Sequence, residues 1–396
     1  MHEHPTDHRQ RHRSRRLPLL SACVVSVLVS TTACAAVAAS PDGAYTIGVI
    51  TSQTGTGSQL GVGELQGARQ AVARINAEGG VNGREVRLIA ADDQSNPAQA
   101  VLQARKMIDQ VDAIVGPSLS GPCRAVLPLA TGARIVNYCL SPGIEPKPDS
   151  WQWSASADTK ALAERVVAYW KRQGITRIGL TYSTDASGVD GAGAVRHAVE
   201  TVGGMHITAS AAYSPSAVSV TSQVQTLASG KPEAIVVWST GAGAAVAFKG
   251  LEQAGLRVPV ATTDGNLTYA FLNRVADYLP DTLLIPATQD FWWQQSTRGP
   301  EAFKLEEEYH ATFQAEHGLQ PDFGPGVAYD ATMLVARALG DARGDKHGVK
   351  AALENMRDVV GVVGTYSFSV EDHRGLTIDD VAIVRASRHS FDYVGR

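Results

Sequence analysis

Residues 45–80 read YTIGVITSQTGTGSQLGVGELQGARQAVARINAEGG, and the three-part pattern in this stretch decides the fold class. Residues 45–51 are short, apolar and β-branched, which predicts a strand buried on both faces of a parallel sheet. Gly55, Gly57 and Gly61 follow and let the backbone turn tightly beside a ligand. Leu65, Ala68, Val72 and Ile75 then recur at three- and four-residue spacing, the apolar stripe of a helix. Gly79-Gly80 supplies the helix stop. In open α/β sheets, ligands sit outside the carboxyl ends of strands, beside such turns. The stretch is therefore expected to form one wall of a binding site.

Outward from it, strand and helix signals alternate. Residues 85–91 predict a strand, and Asn96-Pro97 opens a helix with proline at its first position. Residues 113–116 predict a strand ending in Gly-Pro-Ser-Leu-Ser-Gly, followed by a helix over about 123–131 and a strand over 134–138. A proline-rich connection, SPGIEPKPDS, leads to a second series beginning near Trp151. Asp158 or Thr159 caps a helix reaching about Gln173. Residues 177–182 predict a strand, with a Gly/Ser/Asp loop to Gly193. Further strands are expected at 206–213, 234–238, 258–262 and 283–287, with helices at about 217–229, 244–254 and 267–278. The aromatic patch Phe291-Trp292-Trp293 precedes helices at about 301–317, 326–339 and 349–356, then strands near 366–370 and 381–384. Alternating βα units imply parallel sheets covered by helices, and two series imply two lobes.

The 396 residues and 44% hydrophobic content suit two α/β lobes. A net charge of -4, with both signs mixed outside the first twenty residues, gives no argument for nucleic acid. Residues 1–40 read as an export signal: Arg13, Arg15 and Arg16, an apolar run from 17, and the cleavage pattern Ala36-Val37-Ala38. Cys34, after Thr32-Ala33, offers a lipid anchor as the alternative end of that signal, although Thr31 stands where a lipobox has leucine. Cys23 also lies in the signal. Cys123 and Cys139 remain in neighbouring loops of the exported chain, where a disulfide is permitted; two small buried thiols are the other reading. No His/Cys spacing argues for zinc.

The segments TGTGSQLGVGELQGARQAVARINAEGGVNGREVRLIAADDQSNPAQAVLQARKMI and VDAIVGPSLSG resemble the type I periplasmic binding proteins of the leucine/isoleucine/valine-binding family. The shared features are the glycine turn, the GARQA helix, the INAEGGVNG helix end, the DD-x-x-x-x-P corner and the VGP loop, in that order. The likeness continues more loosely through Trp238, the TTDG loop and the AYDA helix at 328–331. It implies an α/β fold of two Rossmann-like lobes with parallel sheets, joined by a three-crossover hinge. The lobes would be 44–156 plus 287–357, and 157–286 plus 358–396. It also implies a periplasmic, monomeric substrate-binding protein of an ABC transporter that hands an amino acid or small carboxylate to an inner-membrane permease. No cofactor, metal or catalytic residue is expected.

An amino acid presents a carboxylate and an ammonium. The carboxylate suits hydroxyls and N–H groups at a helix N-terminus. Ser118, Ser120 and Gly121 stand between a strand and a helix start, and the resemblance gives the carboxylate to Ser120's position. Turn formation and helix capping are the structural alternative. Leu140 and Ser141 match the family's second carboxylate loop, without its usual hydroxyl pattern. The ammonium needs a carboxylate, because a desolvated unpaired charge is costly. Asp264, in Thr263-Asp264-Gly265, matches the family's acidic ligand, with an Asx-type turn as the alternative. Thr240 and Gly241 follow a strand and are expected to face the cleft. Where the leucine-binding relatives carry an aromatic residue and a tyrosine over the ligand, this chain has Leu60 and Ser187, which implies a differently shaped pocket. Phe291 and Trp292 offer a replacement aromatic wall, or hinge packing.

A dinucleotide-dependent oxidoreductase is the rival from another class, because Gly55-x-Gly57-x-x-x-Gly61 resembles a dinucleotide fingerprint. The acid expected about 20 residues on is missing, since the second strand ends at Asp92 or Asp93. No G-x-S-x-G elbow supports a hydrolase. A ligand-sensing periplasmic receptor would share every feature above.

Overall fold

The computed structural model describes residues 43–396. The export signal expected over 1–40, with Cys23 and the lipidation alternative at Cys34, lies outside them. β1 (Tyr45–Thr51), α1 (Ser58–Ala77), β2 (Val86–Asp92), α2 (Pro97–Met107), β3 (Ala113–Val115), α3 (Ser120–Ala133), β4 (Val136–Cys139) and β5 (Gln152–Ser154) build the first layer set. Their sheet runs β2-β1-β3-β4-β5, and every pair is parallel. Parallel strands covered on both faces are mainly apolar, as β1, β3 and β4 are, and the buried Asn137 of β4 is satisfied by donating to Gly116 O at 2.6 Å. β2 is an edge strand and half-exposed, while the other edge strand, β5, is buried.

The second set comprises α4 (Thr159–Arg172), β6 (Arg177–Ser183), α5 (Ala186–Val202), β7 (His206–Tyr213), α6 (Thr221–Ser229), β8 (Ala234–Trp238), α7 (Ala242–Gln253), β9 (Val260–Thr262), α8 (Tyr269–Val275) and β10 (Leu283–Ala287). After β10 come α9 (Pro300–His317), α10 (Phe323–Asp341), α11 (Val349–Glu354), β11 (Val359–Val360), β12 (Thr365–Tyr366), β13 (Ala382–Ala386) and β14 (Phe391–Gly395). The second sheet is β14-β13-β10-β9-β8-β6-β7. β10 pairs antiparallel with β13, and β13 with β14, so this sheet has an antiparallel edge beside the expected parallel strands. The chain passes from the first sheet to the second after β5, returns after β10 to pack α10 on α1, and crosses again before β13. Those three passages join the two sheets.

Each sheet is coated on both faces. Ile50, Ile114 and Val126 pack beneath α2 and α3. Val49, Ala68 and Val335 pack beneath α1 and α10. Val167, Leu180, Val195 and Val236 lie under α4 and α5, and Val237, Phe248 and Phe271 under α7 and α8. Among the described residues no helix is long and apolar enough to cross a membrane.

Four local differences from the sequence expectations have physical causes. The stretch read as a Gly/Ser/Asp loop to Gly193 is α5, capped by Asp185, whose carboxylate accepts from Gly188 N–H at 2.8 Å. Its glycines are there for close packing. A Cβ at Gly188 would lie 2.0 Å from the Ser183 carbonyl oxygen, and one at Gly191 would lie 2.0 Å from Trp238 Nε1. α3 begins at Ser120, three residues earlier than expected, because Gly121 and Pro122 are tolerated where the first N–H groups lack helix partners anyway. α8 is shorter than the helix expected at 267–278, since residues 264–266 form a separate 3₁₀ turn. β5, β11 and β14 carry too few residues or too mixed a pattern to be read as strands, and of the strand expected near 366–370 only β12 forms.

Candidate ligand-binding cleft

The glycine turn after β1 is held by the Asp92-Asp93 corner at the end of β2. Asp92 accepts from the N–H groups of Gln53, Thr54 and Gln94, and Asp93 accepts from Ser52 Oγ at 2.7 Å and Ser95 N–H at 2.8 Å. Ser95 Oγ then accepts from Gly57 N–H at 2.9 Å. The motif thus fixes the entry to α1, and the turn forms one side of a cavity of about 400 Å³ between the sheets' carboxyl ends. That volume suits a small molecule.

Nine of the ten candidate ligand residues line this cavity: Leu60, Ser118, Ser120, Gly121, Leu140, Ser141, Ser187, Thr240 and Asp264. Gly241 does not. Its N–H donates to Asn266 Oδ1 at 2.8 Å, and its φ of +62° turns the chain where α1 comes close. A Cβ there would lie 3.0 Å from Gln59 Oε1. Phe291 and Trp292 do not line the cavity either; they pack against Phe391 and Tyr393 of β14.

The first wall carries hydroxyls at a helix start. Ser120 Oγ and Ser141 Oγ are 2.7 Å apart. Leu119 caps α3 without a side-chain bond and Pro122 has no N–H, so the N–H groups of Ser120 and Gly121 have no helix partner. Ser118 is engaged behind this wall. Its Oγ accepts from Ser52 N–H at 2.8 Å and bonds the Glu64 carboxyl. Burial pushes Glu64 up to about 8, so it holds its proton at neutral pH. Cys123 and Cys139 are joined in a disulfide, with Cα atoms 6.0 Å apart, that ties α3 to the end of β4 just before Leu140.

The opposite wall carries a carboxyl group. Asp264 is buried, and its Oδ1 accepts from Thr263 Oγ1 at 2.7 Å and Gly265 N–H at 2.9 Å. Oδ2 has no hydrogen-bond partner among the described residues. Burial raises its pKa to about 6, against those two bonds, which lower it. Asp185 is the second acid in the lining, which contains no Lys, Arg or His. Gln59 Nε2 reaches across the cleft to Gly265 O at 2.8 Å, so the two walls are closed on each other.

Two contributors were not singled out from the sequence. Asn266 ties Thr262, Ser239 and Gly241 together through one amide. Phe323, at the start of α10, lines the cavity and donates its N–H to Leu267 O at 3.0 Å. Neither had a local signal: one reads as a turn asparagine, the other as a lone aromatic. Among the described residues no group of three or more His, Cys, Asp or Glu side chains could hold a metal ion.

A family profile described as periplasmic binding protein matches residues 44–390. An amino acid binding protein of Pseudomonas aeruginosa is 44% identical over 68 residues, 17% of this chain and 18% of that protein. The Leu/Ile/Val-binding protein of Escherichia coli K12 is 38% identical over 71 residues, 18% of this chain and 19% of the other. The chain thus aligns with under a fifth of the length of these curated relatives. An extracellular ligand-binding receptor from Rhodopseudomonas palustris HaA2 superposes with a TM-score of 0.81 at 20% identity, covering 89% of this chain and 100% of that one.

Proposed function

Because the chain belongs to the type I periplasmic binding protein family, we propose that it is the exported substrate-binding component of an ABC importer, capturing an amino acid or related small organic acid between its lobes. The lobes are taken as 44–156 plus 287–357, and 157–286 plus 358–396. The observation that carries this reading is the pairing of unsatisfied groups across one closed cavity. Asp264 offers a buried carboxylate oxygen without a partner, while Ser120, Ser141 and the free N–H groups of α3 stand on the other wall. A zwitterion satisfies both: its ammonium pairs with Asp264 and its carboxylate with the hydroxyls and the helix N-terminus. Leu60, Leu119, Leu140 and Phe323 supply the apolar surface for the rest of the ligand.

Capture is then a population shift. Ligand binds the first wall, the hinge closes, and Asp264 completes the site, in proportion to the ligand's preference for the closed form. The closed form delivers its cargo to a permease in the inner membrane, and the protein acts as a periplasmic monomer. No bond is made or broken in this cycle.

A thermal-shift screen of the exported chain against amino acids, amides and small carboxylates tests the reading. A ligand at one hundred times its Kd stabilises by about 2.7 kcal/mol. The expected result is a shift with a zwitterionic amino acid that Asp264→Asn removes. A shift confined to acids lacking an amino group, or one that Asp264→Asn leaves intact, refutes the ammonium assignment.

A further inference from the structure

Arg374 is a buried guanidinium with no carboxylate paired to it among the described residues. It lies between β12 and β13, in the C-terminal segment that the sequence pattern leaves as loop. The neighbouring backbone is firmly anchored. Ser154 N–H donates to His373 O at 3.2 Å, and the His373 ring stacks on Trp153 with centroids 3.9 Å apart. The ring nitrogens face Gln152 O at 3.1 Å and Glu354 Oε1 at 3.0 Å. From this anchor the guanidinium donates to Ser154 Oγ at 2.9 Å, to Pro142 O at 3.3 Å, and to the carbonyls of Ser156 and Ile144. All four acceptors are neutral oxygens, so the hydrogen bonds are satisfied and the charge is not neutralised.

We propose that Arg374 is a specificity-determining positioning residue of the cleft: it fixes the 141–144 loop and places an uncompensated positive charge behind Ser120 and Ser141, so that the site prefers a ligand bearing a carboxylate at that end. The inference rests on the capture reading given above. Three observations carry it. First, hydrogen bonds link Arg374 to the backbone of the wall at the Ser141 carbonyl, and the side chain of the same serine faces Ser120. Arg374 donates to Ser154 Oγ, Ser154 Oγ donates to Ser141 O at 3.1 Å, and Ser141 Oγ meets Ser120 Oγ at 2.7 Å. Second, the cavity lining holds no cationic side chain, so a ligand carboxylate meets positive potential only from the start of α3 and from what stands behind the wall. Third, no hydrogen bond or ion pair joins Asp264 to Arg374 among the described residues; burial dominates the Asp264 carboxyl and raises its pKa, and the Arg374 charge lowers it by a smaller amount. Asp264 on one wall and Arg374 behind the other set an anion and a cation on opposite sides of the cavity, with the Asp190 carboxylate also reaching Gly143 on the Arg374 side. Asp158, Asp372, Glu145 and Asp190 act on Arg374 from a distance, but burial outweighs them and lowers its pKa.

The test compares the twenty proteinogenic L-amino acids with their carboxamides, which keep the ammonium and lose the carboxylate charge. Binding is measured by thermal shift and then calorimetry on the exported chain and on Arg374→Met and Arg374→Lys. The native protein is expected to favour acid over amide. Arg374→Met is expected to cut that ratio at least tenfold, while Arg374→Lys, which keeps the charge but cannot reach all four oxygens, retains most of it. Equal weakening of acid and amide in Arg374→Met, or loss of the ratio in Arg374→Lys, overturns the proposal and leaves Arg374 a packing residue. A ligand-free readout separates this from failure of the capture reading. Carboxyl carbon NMR should show Asp264 titrating at higher pH in Arg374→Met than in the native protein. If no amino acid binds the native protein, the capture reading fails on that panel, and an unmoved Asp264 titration then overturns the Arg374 proposal as well.

Discussion

Asp264→Asn should change stability in a direction opposite to that of a salt-bridged acid. Asp264 ionises near 6 in the folded protein because it is buried, against an ordinary 3.8. The folded state therefore keeps this proton longer than the unfolded chain. Its contribution is full below about 3.8 and is lost as pH rises through about 6. At about 1.4 kcal/mol per pH unit, the whole interval corresponds to about 3 kcal/mol, of which about 1.4 kcal/mol falls between pH 5 and pH 8. Asparagine keeps the shape and the acceptor for Thr263 and Gly265 but does not titrate. Urea denaturation of the ligand-free native protein and of Asp264→Asn, at pH 5 and pH 8, isolates the effect, because every other acid is common to both. The stability gap is expected to move in favour of the asparagine variant by about 1.4 kcal/mol on going to pH 8. A gap that stays constant, or moves in favour of the native protein, would mean that Asp264 already has a cation or hydrated surroundings, and the unpaired-carboxylate argument would fall.

Ser120→Ala should leave stability within about 1 kcal/mol, since it removes one neutral hydroxyl pair, yet weaken a carboxylate ligand about tenfold or more by calorimetry. Gly191→Ala drives a methyl group into Trp238 and is expected to cost about 1–3 kcal/mol in thermal melts, whereas Gly193→Ala, on the same helix with open space around it, should gain about 0.5–1 kcal/mol. The double variant Cys123→Ala/Cys139→Ala opens a loop of sequence separation 16 and should lower stability by about 3 kcal/mol in denaturant titrations. Gln59→Ala removes a bond across the cleft and should lower ligand affinity several-fold, with small-angle scattering showing a larger open fraction in the ligand-free protein.

What the sequence disclosed follows the range of the forces involved. β1, the glycine turn and α1 are set by near neighbours in the chain, and so are the Asn96 and Asp158 caps, which form as read. Ser120, Ser141 and Asp264 were picked out through the family resemblance, and each lines the cavity. α5 was hidden because its sequence carries three glycines within six residues, a composition that reads as loop until the surfaces of Ser183 and Trp238 are in place. Arg374 was hidden more deeply. Its partners lie more than two hundred positions away, at |i−j| of 218 to 232, and nothing in the local run EDHRGL distinguishes it from a surface arginine. β14 shows the same limit, since a short edge strand is specified by its partner more than by its own alternation.

Beside the ligand site, hydrogen bonds and unsatisfied groups act in opposite senses on closure. The bond from Gln59 to Gly265, and those from Phe323 to Leu267 and from Tyr269 to Asp322, contribute on the order of 1 kcal/mol each after exchange with water. Against them stands the burial of Asp264, which pushes its carboxyl up to about 6, and the desolvated N–H groups at the start of α3. Ligand binding has to shift the balance between open and closed forms. Moving such an equilibrium decisively takes about 5.5 kcal/mol of preference for one state. A zwitterion has the right groups to supply it, because its ammonium removes the Asp264 penalty and its carboxylate satisfies the hydroxyls and the helix end at the same moment. A cleft satisfied in advance, as Asp264→Asn would partly make it, is more stable and closes with less dependence on its cargo. The instability of the empty site is therefore the source of its coupling between capture and closure.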